Sequence, residues 1–321
     1  MSEFIIEAYR DAAANTAGRI YPLLRAAKLK SDFARVFSAH LGHLIGGGRF
    51  ETKGLLVTGP SGTGKTTEIG ALIRQFNSDK IALPDGSGAR FAECVLKGIG
   101  TWKDLGKATA AAIGYPVSSK ARLTQSEIWD IVVREAKLAG IIGIHFDEAQ
   151  HIFREKSDAD RFAVLDSFKT LMKSHGWPLM LIFSGVPDLN DYIQMEPQLH
   201  RMLHRVRFND INLPDDYRTV HEIIGSYALR AGVEVDPDLM IKDFFDRLVA
   251  ASAYRWGLLI EITEGAVAET QFTGTETLVR NNFTDWWVGK TNVSRVATPF
   301  THSDYKTMYR KDHPFMKDLD D

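Results

Sequence analysis

The chain has 321 residues, of which 44% are hydrophobic and 25% are charged, and its formal net charge is −2. This composition is typical of a folded globular protein that is long enough for about two domains. The near-neutral charge provides no overall attraction to nucleic acid or membranes, so any DNA binding must come from a local basic patch.

The compartment follows from the cysteine count and from the N-terminus. The single cysteine, Cys94, excludes an intramolecular disulfide and fits a reducing compartment. The N-terminal stretch MSEFIIEAYRDAAANTAGRIYPLL has acidic residues and lacks the apolar core of a signal peptide. No uninterrupted apolar run approaches the roughly 20 residues of a membrane span. We therefore expect a soluble, cytoplasmic protein without a membrane partner.

The first segment reads as helical. In SDFARVFSAHLGHLI, the apolar spacing predicts a helix with one face made of Phe33, Val36, Phe37, Leu41 and Leu44. Three glycines, residues 46–48, then break the pattern. We expect an N-terminal helical extension over residues 1–50.

An α/β core is predicted over residues 51–213. Short apolar runs alternate with amphipathic helices, and the runs are GLLVTG, ARFAECVLKG, IIGIHFDEAQ and WPLMLIFSG. One helix has a clear start, because Thr124 and Glu127 have the spacing of a capping box, and Gly140 closes it. This alternation predicts a parallel sheet covered by helices on both faces.

The strands are expected to stop near Pro214. Four amphipathic stretches follow and predict a small all-helical lid domain over residues 214–290. Residues 291–321 lack clear periodicity and read as a C-terminal tail. The aromatic residues of the tail are interleaved with Arg310 and Lys311, which suggests a docking segment; they are Phe300, Tyr305, Tyr309 and Phe315.

The strongest motif is the stretch GPSGTGKTT between a predicted strand and a predicted helix. It matches the P-loop pattern in full, and its residues are Gly59, Pro60, Ser61, Gly62, Thr63, Gly64, Lys65, Thr66 and Thr67. The glycines let backbone N–H groups surround phosphates, and the helix N-terminus adds positive potential. We expect Lys65 to reach the β- and γ-phosphates of ATP and Thr66 to ligate Mg²⁺.

Two acids end the strand IIGIHFDEAQ. Asp147 lies where a second acid must sit to hold Mg²⁺ beside the P-loop, and Glu148 is placed to act as general base toward the attacking water. The alternative is that both acids only cap the next helix. Two acids favour hydrolysis of the nucleotide over binding alone.

The histidines and basic residues give weaker signals. His200 and His204 have a spacing that can chelate zinc on a helix, but no third ligand is evident nearby; His145 reads as a packed or supporting residue. Two basic groups could follow a DNA backbone or be solvated faces; they are Arg19, Arg25, Lys28, Lys30 and Arg35, and then Lys97, Lys103, Lys107, Lys120 and Arg122. No pattern that reads bases is present.

Together, GPSGTGKTT, IIGIHFDEAQHIF, LIFSGVPDL and LHRMLHRVRF, followed by a helical domain, resemble the AAA+ ATPases of bacterial transposons. The sequence is most similar to the TniB family, whose relatives include TnsC and MuB, and the DEAQH form is shared with ExeA-like ATPases. The resemblance covers roughly residues 30–275. It implies an ATP-dependent regulator that forms a ring or filament of its own copies on double-stranded DNA, without sequence specificity, and recruits or activates a transposase.

Site residues carry over from the resemblance by motif. It implies that Lys65 and Thr66 contact phosphate and Mg²⁺, and that Asp147 and Glu148 are the hydrolytic acids. Ser184, which ends the next strand, corresponds to the polar residue that orients water near the γ-phosphate. Three arginines are candidates for a finger that reaches a neighbouring subunit, with Arg205 the first choice and Arg201 the second, followed by Arg207; the sequence HRV departs there from the usual Ser-Arg-Phe-like end. Arg255 is a candidate for a nucleotide contact in cis.

Two classes of function follow. In the first, Mg-ATP binding drives assembly on target DNA, and hydrolysis resets the assembly. In the second, the chain is an ATPase that acts on protein partners, as in a secretion or defence system, without DNA. A P-loop kinase for a small molecule is a third reading, which Glu148 and the helical domain disfavour.

Overall fold

The computed structural model describes residues 4–16, 20–96, 101–118 and 120–316. The chain forms two compact units. We call Pro22–Ser61 with Lys65–Phe208 the sheet unit, and Met1–Tyr21, Gly62–Gly64 and Asn209–Asp321 the helical unit. The extension expected over residues 1–50 is thus divided between the units, and the expected tail lies in the helical unit with the expected lid.

The sheet unit is built on five parallel strands in the order β2-β3-β4-β1-β5. The strands are β1 (Gly54–Thr58), β2 (Arg90–Val95), β3 (Ile141–Asp147), β4 (Met180–Gly185) and β5 (Leu203–Arg207). Every residue of β3 and β4 is buried, whereas the edge strand β2 contains both buried and exposed residues. Central strands of a parallel sheet are covered on both faces, which explains their nearly unbroken apolar sequences.

Helices flank this sheet. They are α2 (Leu24–Gly46), α3 (Lys65–Ser78), α4 (Trp102–Ala112), α5 (Gln125–Leu138), α6 (Asp158–Met172), α7 (Asp188–Gln194) and α8 (Pro197–Met202), with a short 3₁₀ helix at Ala149–Ile152. The predicted face of α2 packs on the core, since Phe33, Val36 and Phe37 are buried. The predicted capping box of α5 is confirmed, because Thr124 and Glu127 each accept a hydrogen bond from the backbone N–H of the other.

The helical unit contains α1 (Glu7–Thr16), α9 (Tyr217–Ala231), α10 (Lys242–Ala251), α11 (Trp256–Phe272) and α12 (Arg280–Thr291). The expectation of an all-helical lid needs one correction. The two-residue strands β6 (Glu234–Val235) and β7 (Thr277–Leu278) pair in parallel. Two residues are too few for a strand periodicity to show in a sequence.

The aromatic residues expected in a docking tail pack against their own unit. Phe300 is buried against the rings of Phe244 and Phe283. Phe315 lies against Trp287 at a ring-centroid distance of 5.2 Å, and the Tyr309 hydroxyl donates to the carbonyl of Ala297. The described part of the expected tail therefore contributes to the core of the helical unit.

Among the described residues, no helix is both long enough and apolar enough to cross a membrane.

Candidate functional site

The predicted site residues meet at one edge of the sheet. Strand β1 lies beside β4, and β4 lies beside β3. Because parallel strands end at the same edge, the Gly-rich loop after β1, Asp147 at the end of β3 and Ser184 near the end of β4 come together there. The sheet order thus brings together residues that are up to 125 positions apart in the chain, counting from Gly59 to Ser184.

The loop Gly59–Thr67 joins β1 to α3 and has the backbone that its glycines permit. Gly62 and Gly64 have φ values of +81° and +93°, in the left-handed region that favours glycine. Lys65 begins α3 and is 4% exposed. Its ammonium group donates to the carbonyls of Gly59 at 2.8 Å and Pro60 at 2.9 Å. The Lys65 side chain therefore folds back along the loop that the sequence assigned to the phosphates.

Asp147 is the centre of the polar contacts at this edge. One carboxylate oxygen, Oδ2, accepts from the Thr66 hydroxyl at 2.7 Å, and the other, Oδ1, accepts from the Ser184 hydroxyl at 2.5 Å. Asp147 is 5% exposed and Ser184 is fully buried. The two oxygen donors predicted for Mg²⁺, on Thr66 and Asp147, are adjacent. Oxygen ligands of this kind are those that Mg²⁺ prefers, so the residues present fit the ion.

Glu148 has a left-handed backbone conformation, with φ 51° and ψ 39°, and it makes no side-chain capping hydrogen bond. Instead its carboxylate accepts from the Gln150 side-chain amide, whose oxygen accepts the backbone N–H of Val186 at 3.3 Å. Gly185 permits this contact, because a Cβ atom there would lie 2.2 Å from the Gln150 oxygen. The capping alternative therefore does not describe Glu148. Sequence reasoning gave no role to Gln150, whose only signal was its place in DEAQ.

His145, which the sequence analysis interpreted as a packed or supporting residue, contacts a residue of the site. It lies in the middle of β3, is 1% exposed, and its Nε2 atom is 2.8 Å from the Ser184 hydroxyl oxygen. Its Nδ1 atom is 3.8 Å from the Glu93 carboxylate on β2. The contact with His145 lowers the pKa of Glu93 below its usual value. A histidine within an apolar strand was the available signal.

The candidate arginine fingers lie on the surface of the sheet unit. Arg201 is in α8, whereas Arg205 and Arg207 are in β5, and all three are exposed. The strand begins at Leu203, so Arg205 lies within β5 and not at the end of α8. The Arg205 guanidinium donates to Nε2 of His200 at 2.9 Å, and His204 lies 3.3 Å from Asp32.

Arg255 immediately precedes α11 in the helical unit. Its guanidinium donates to the Lys311 carbonyl at 2.7 Å, and the residue is 7% exposed. Burial lowers the pKa of Arg255. Three residues later, the Leu258 N–H donates to the Gly62 carbonyl at 3.1 Å. Gly257 permits this close approach, since a Cβ atom there would lie 2.4 Å from the Gly62 oxygen. The contact of Arg255 with a nucleotide remains a prediction.

The basic residues of the two groups differ in their ion pairing and in their exposure to solvent. Arg25 and Lys28 are ion-paired with Glu68 at 2.7 Å and Asp32 at 2.6 Å. Lys30, Arg35, Lys120 and Arg122 are exposed, and Lys103 and Lys107 are half-buried. Arg19 and Lys97 lie outside the described residues.

Comparison with known proteins identifies the type of domain. Residues 49–193 match the family model of an AAA domain, a range that contains the Gly-rich loop, both acids and Ser184. No curated protein matches the chain.

Several solved structures share its fold. The Orc1 protein of Aeropyrum pernix, solved in complex with DNA, is 15% identical with a TM-score of 0.61, over 87% of this chain and 69% of that one. The Cdc6 protein of Pyrobaculum aerophilum is 13% identical with a TM-score of 0.61, over 86% and 70% of the two chains. The Orc2 protein of Aeropyrum pernix, solved with ADPNP and ADP, is 13% identical with a TM-score of 0.58, over 87% and 74%. At these identities the likeness shows the fold alone.

Proposed function

The chain is a P-loop ATPase of the AAA+ fold, and we propose that Mg-ATP binding drives its assembly on double-stranded DNA, where it recruits or activates a transposase. Hydrolysis of the nucleotide then resets the assembly. Within the AAA+ class, this assigns the chain to the TniB-like ATPases of transposons that its motifs resemble.

The observation that carries the proposal is the arrangement around Asp147. Thr66 and Asp147 would hold Mg²⁺, and Lys65 would bind the phosphates. When bound, the ion neutralises charge that develops on the phosphate oxygens. Glu148 follows the acid proposed to hold Mg²⁺, its side chain makes no capping hydrogen bond, and its carboxylate is held by Gln150. It is placed to accept a proton from the attacking water. A site that only stored nucleotide would not need this second acid.

Exposed arginines support self-assembly. Arg201, Arg205 and Arg207 are exposed on the sheet unit, and none of them forms an ion pair with a carboxylate in the described part of the chain. An arginine supplied in trans can stabilise charge on the γ-phosphate of the neighbouring subunit, which couples hydrolysis to assembly. We propose Arg205 for this role and Arg201 as the second candidate. Arg255 is proposed as the contact in cis.

Exposed basic residues support DNA binding, although the net charge of the whole chain is −2. Lys30 and Arg35 are exposed on α2, and Lys120 and Arg122 are exposed in the segment between α4 and α5. Such residues can neutralise phosphates of any sequence, which suits binding without sequence specificity. The similarly folded Orc1 protein was solved in complex with DNA.

The test is electron microscopy of the purified protein with duplex DNA in ATP, in ADP and without nucleotide, with Glu148→Gln as the variant that binds but does not hydrolyse. We expect rings or filaments on DNA only with ATP, and we expect Glu148→Gln to retain them after wild-type assemblies have disappeared. The affinity for DNA should fall steeply as the salt concentration rises. In Lys120→Gln, the slope of log affinity against log salt concentration should be smaller by about one. Lys290→Gln, which removes a charge of the helical unit paired with Glu261, is the matched control.

Free particles in every nucleotide state, together with normal ATP turnover, would contradict the DNA proposal. That result would favour the alternative, an AAA+ ATPase that acts on protein partners in a secretion or defence system. The transposase part is tested separately, by whether DNA-bound wild-type protein in ATP retains a purified transposase that DNA alone does not retain.

A further inference from the structure

A chain of polar side chains crosses the sheet and ends at Asp147. Glu93 on β2 pairs in register with His145 on β3, and Asp147 lies two residues after His145. Because side chains alternate along a strand, His145 and Asp147 project from the same face. Ser184 on the next strand, β4, contacts both of them. His145 is therefore linked through one serine to the acid proposed to hold Mg²⁺.

The direction of the hydrogen bonds in this chain can be assigned from Asp147. A carboxylate only accepts, so the single proton of the Ser184 hydroxyl is donated to Asp147. The Ser184 oxygen must then accept from His145, which places a proton on Nε2 of the imidazole. The second Asp147 oxygen remains available to the Thr66 hydroxyl.

Packing alone does not explain a histidine at this position. His145 is 1% exposed. A buried polar ring costs free energy unless its nitrogen atoms form hydrogen bonds. The bond to Ser184 satisfies Nε2, whereas Nδ1 lies 3.8 Å from the Glu93 carboxylate and forms no hydrogen bond among the described residues. Glu93 in turn lies against α3, where a Cβ atom on Gly70 would be 3.4 Å from its carboxylate.

We propose that His145 is a positioning residue for ATP hydrolysis that acts through Ser184. Its Nε2–H keeps the serine proton directed at Asp147, and this orients the carboxylate toward Thr66. The same contact occupies the only hydroxyl proton of Ser184, so Ser184 supports the Mg²⁺-binding acid in this arrangement. The proposal rests on ATP hydrolysis at the proposed site and does not depend on DNA binding.

The first experiment compares three substitutions at one position. His145→Gln can place an amide N–H near the position of Nε2, His145→Asn is too short to reach Ser184, and His145→Met fills the space without a donor. We expect the Asn and Met variants to lose about 10- to 100-fold in kcat, the range typical of losing a residue that orients a metal ligand. The KM for ATP should change by less than about 3-fold, and His145→Gln should recover most of kcat. Melting temperatures show which variants are folded.

The second experiment asks whether His145 acts through Ser184. The Ser184→Ala variant and the Ser184→Ala/His145→Asn double variant should have the same kcat within about 2-fold, because the serine that transmits the effect is already gone. The inference would be overturned if the losses in kcat of the two single variants multiply in the double variant, or if His145→Gln and His145→Asn lose kcat equally. Neither result would contradict ATP hydrolysis by the wild type. If the wild-type protein has no ATPase activity, or if that activity survives in Glu148→Gln, both the proposed function and this inference would be overturned.

Discussion

Glu148 shows how one residue of the site departs from ordinary backbone geometry. It has φ 51° and ψ 39°, although it is not glycine. A left-handed conformation in such a residue costs on the order of 1 kcal/mol or more and persists only where the surroundings determine it. Here the Gln150 amide holds the carboxylate, and Gln150 itself is held by Val186. The strain therefore lies at the residue proposed as general base.

A buried ion pair between Arg25 and Glu68 joins the first turn of α2 to the first turn of α3. Arg25 and Glu68 approach to 2.7 Å, with side chains that are 14% and 5% exposed, and Arg25 lies 4.6 Å above the ring of Phe208. Burial raises the pKa of Glu68 and lowers the pKa of Arg25, so the loss of hydration outweighs their mutual attraction. The pair adds little net stability, but removal of one partner leaves a buried charge.

We predict that Arg25→Met lowers the free energy of unfolding by about 3 kcal/mol, because Glu68 loses its partner inside the protein. Arg218→Met is the control, since Arg218 pairs with Glu222 where the side chains are 89% and 44% exposed. The stability of the control should change little, because solvent screens an exposed ion pair. Urea unfolding at neutral pH measures both variants, and equal small losses would show that Glu68 finds other stabilisation.

At the scale of elements, α2 is attached to the sheet unit by a buried histidine as well as by its apolar face. His40 on α2 is 2% exposed, and its Nδ1 atom is 2.7 Å from the Thr52 hydroxyl just before β1. Burial lowers the pKa of His40 to about 4, with a smaller effect from the nearby His43. The imidazole is therefore neutral in the folded protein at neutral pH.

The lowered pKa of His40 predicts that the free energy of unfolding falls in acid because of this residue of α2. Since the pKa of His40 is lower in the folded state than the usual 6.5, its contribution is complete above pH 6.5 and is lost as the pH falls toward about 4. When the pH is lowered from 7 to 5, the free energy of unfolding of the wild type should fall by about 2 kcal/mol more than that of His40→Asn. Urea unfolding at the two pH values gives the comparison, with His43→Asn, an exposed position on the same helix, as control. An unchanged pH dependence in His40→Asn would contradict the assignment.

At the scale of the whole molecule, the first and the last described segments belong to the same unit. Helix α1 packs on α11, and the last described segment packs on α10 and α12 through Phe300, Tyr309 and Phe315. The helical unit thus gains part of its core from residues whose sequence shows no regular period. The contact of Arg255 with the Lys311 carbonyl lies in this same unit.

We predict that Phe300→Ala destabilises the helical unit by about 3–5 kcal/mol, because Phe300 is 1% exposed and its loss leaves a cavity against Phe244, Phe283 and Trp287. Hydrogen exchange followed by mass spectrometry should show faster exchange in peptides from α10 and α12. Met316→Ala, at a position that is 52% exposed, should leave these rates nearly unchanged. Unaltered exchange in Phe300→Ala would mean that the end of the chain contributes no core to this unit.

Much of the sheet unit could be predicted from local sequence. The P-loop pattern, the two acids after an apolar strand and the alternation of strands with helices led to a parallel α/β sheet and to the loop–strand edge where Thr66 meets Asp147. These features are readable because glycine spacing, apolar periodicity and helix caps each reflect a constraint within a few residues of the chain.

Only the tertiary structure decided which distant residues share a site and how the chain divides. The contacts of His145 with Ser184, of Gln150 with Val186 and of Arg25 with Glu68 join residues that are 36 to 43 positions apart, and no local pattern encodes them. The placement of α1 and of the described part of the tail in the helical unit could not be predicted from the sequence either. The physical reason is the same in each case: a buried polar group or an aperiodic aromatic side chain is stable only beside a particular partner, and the fold selects that partner.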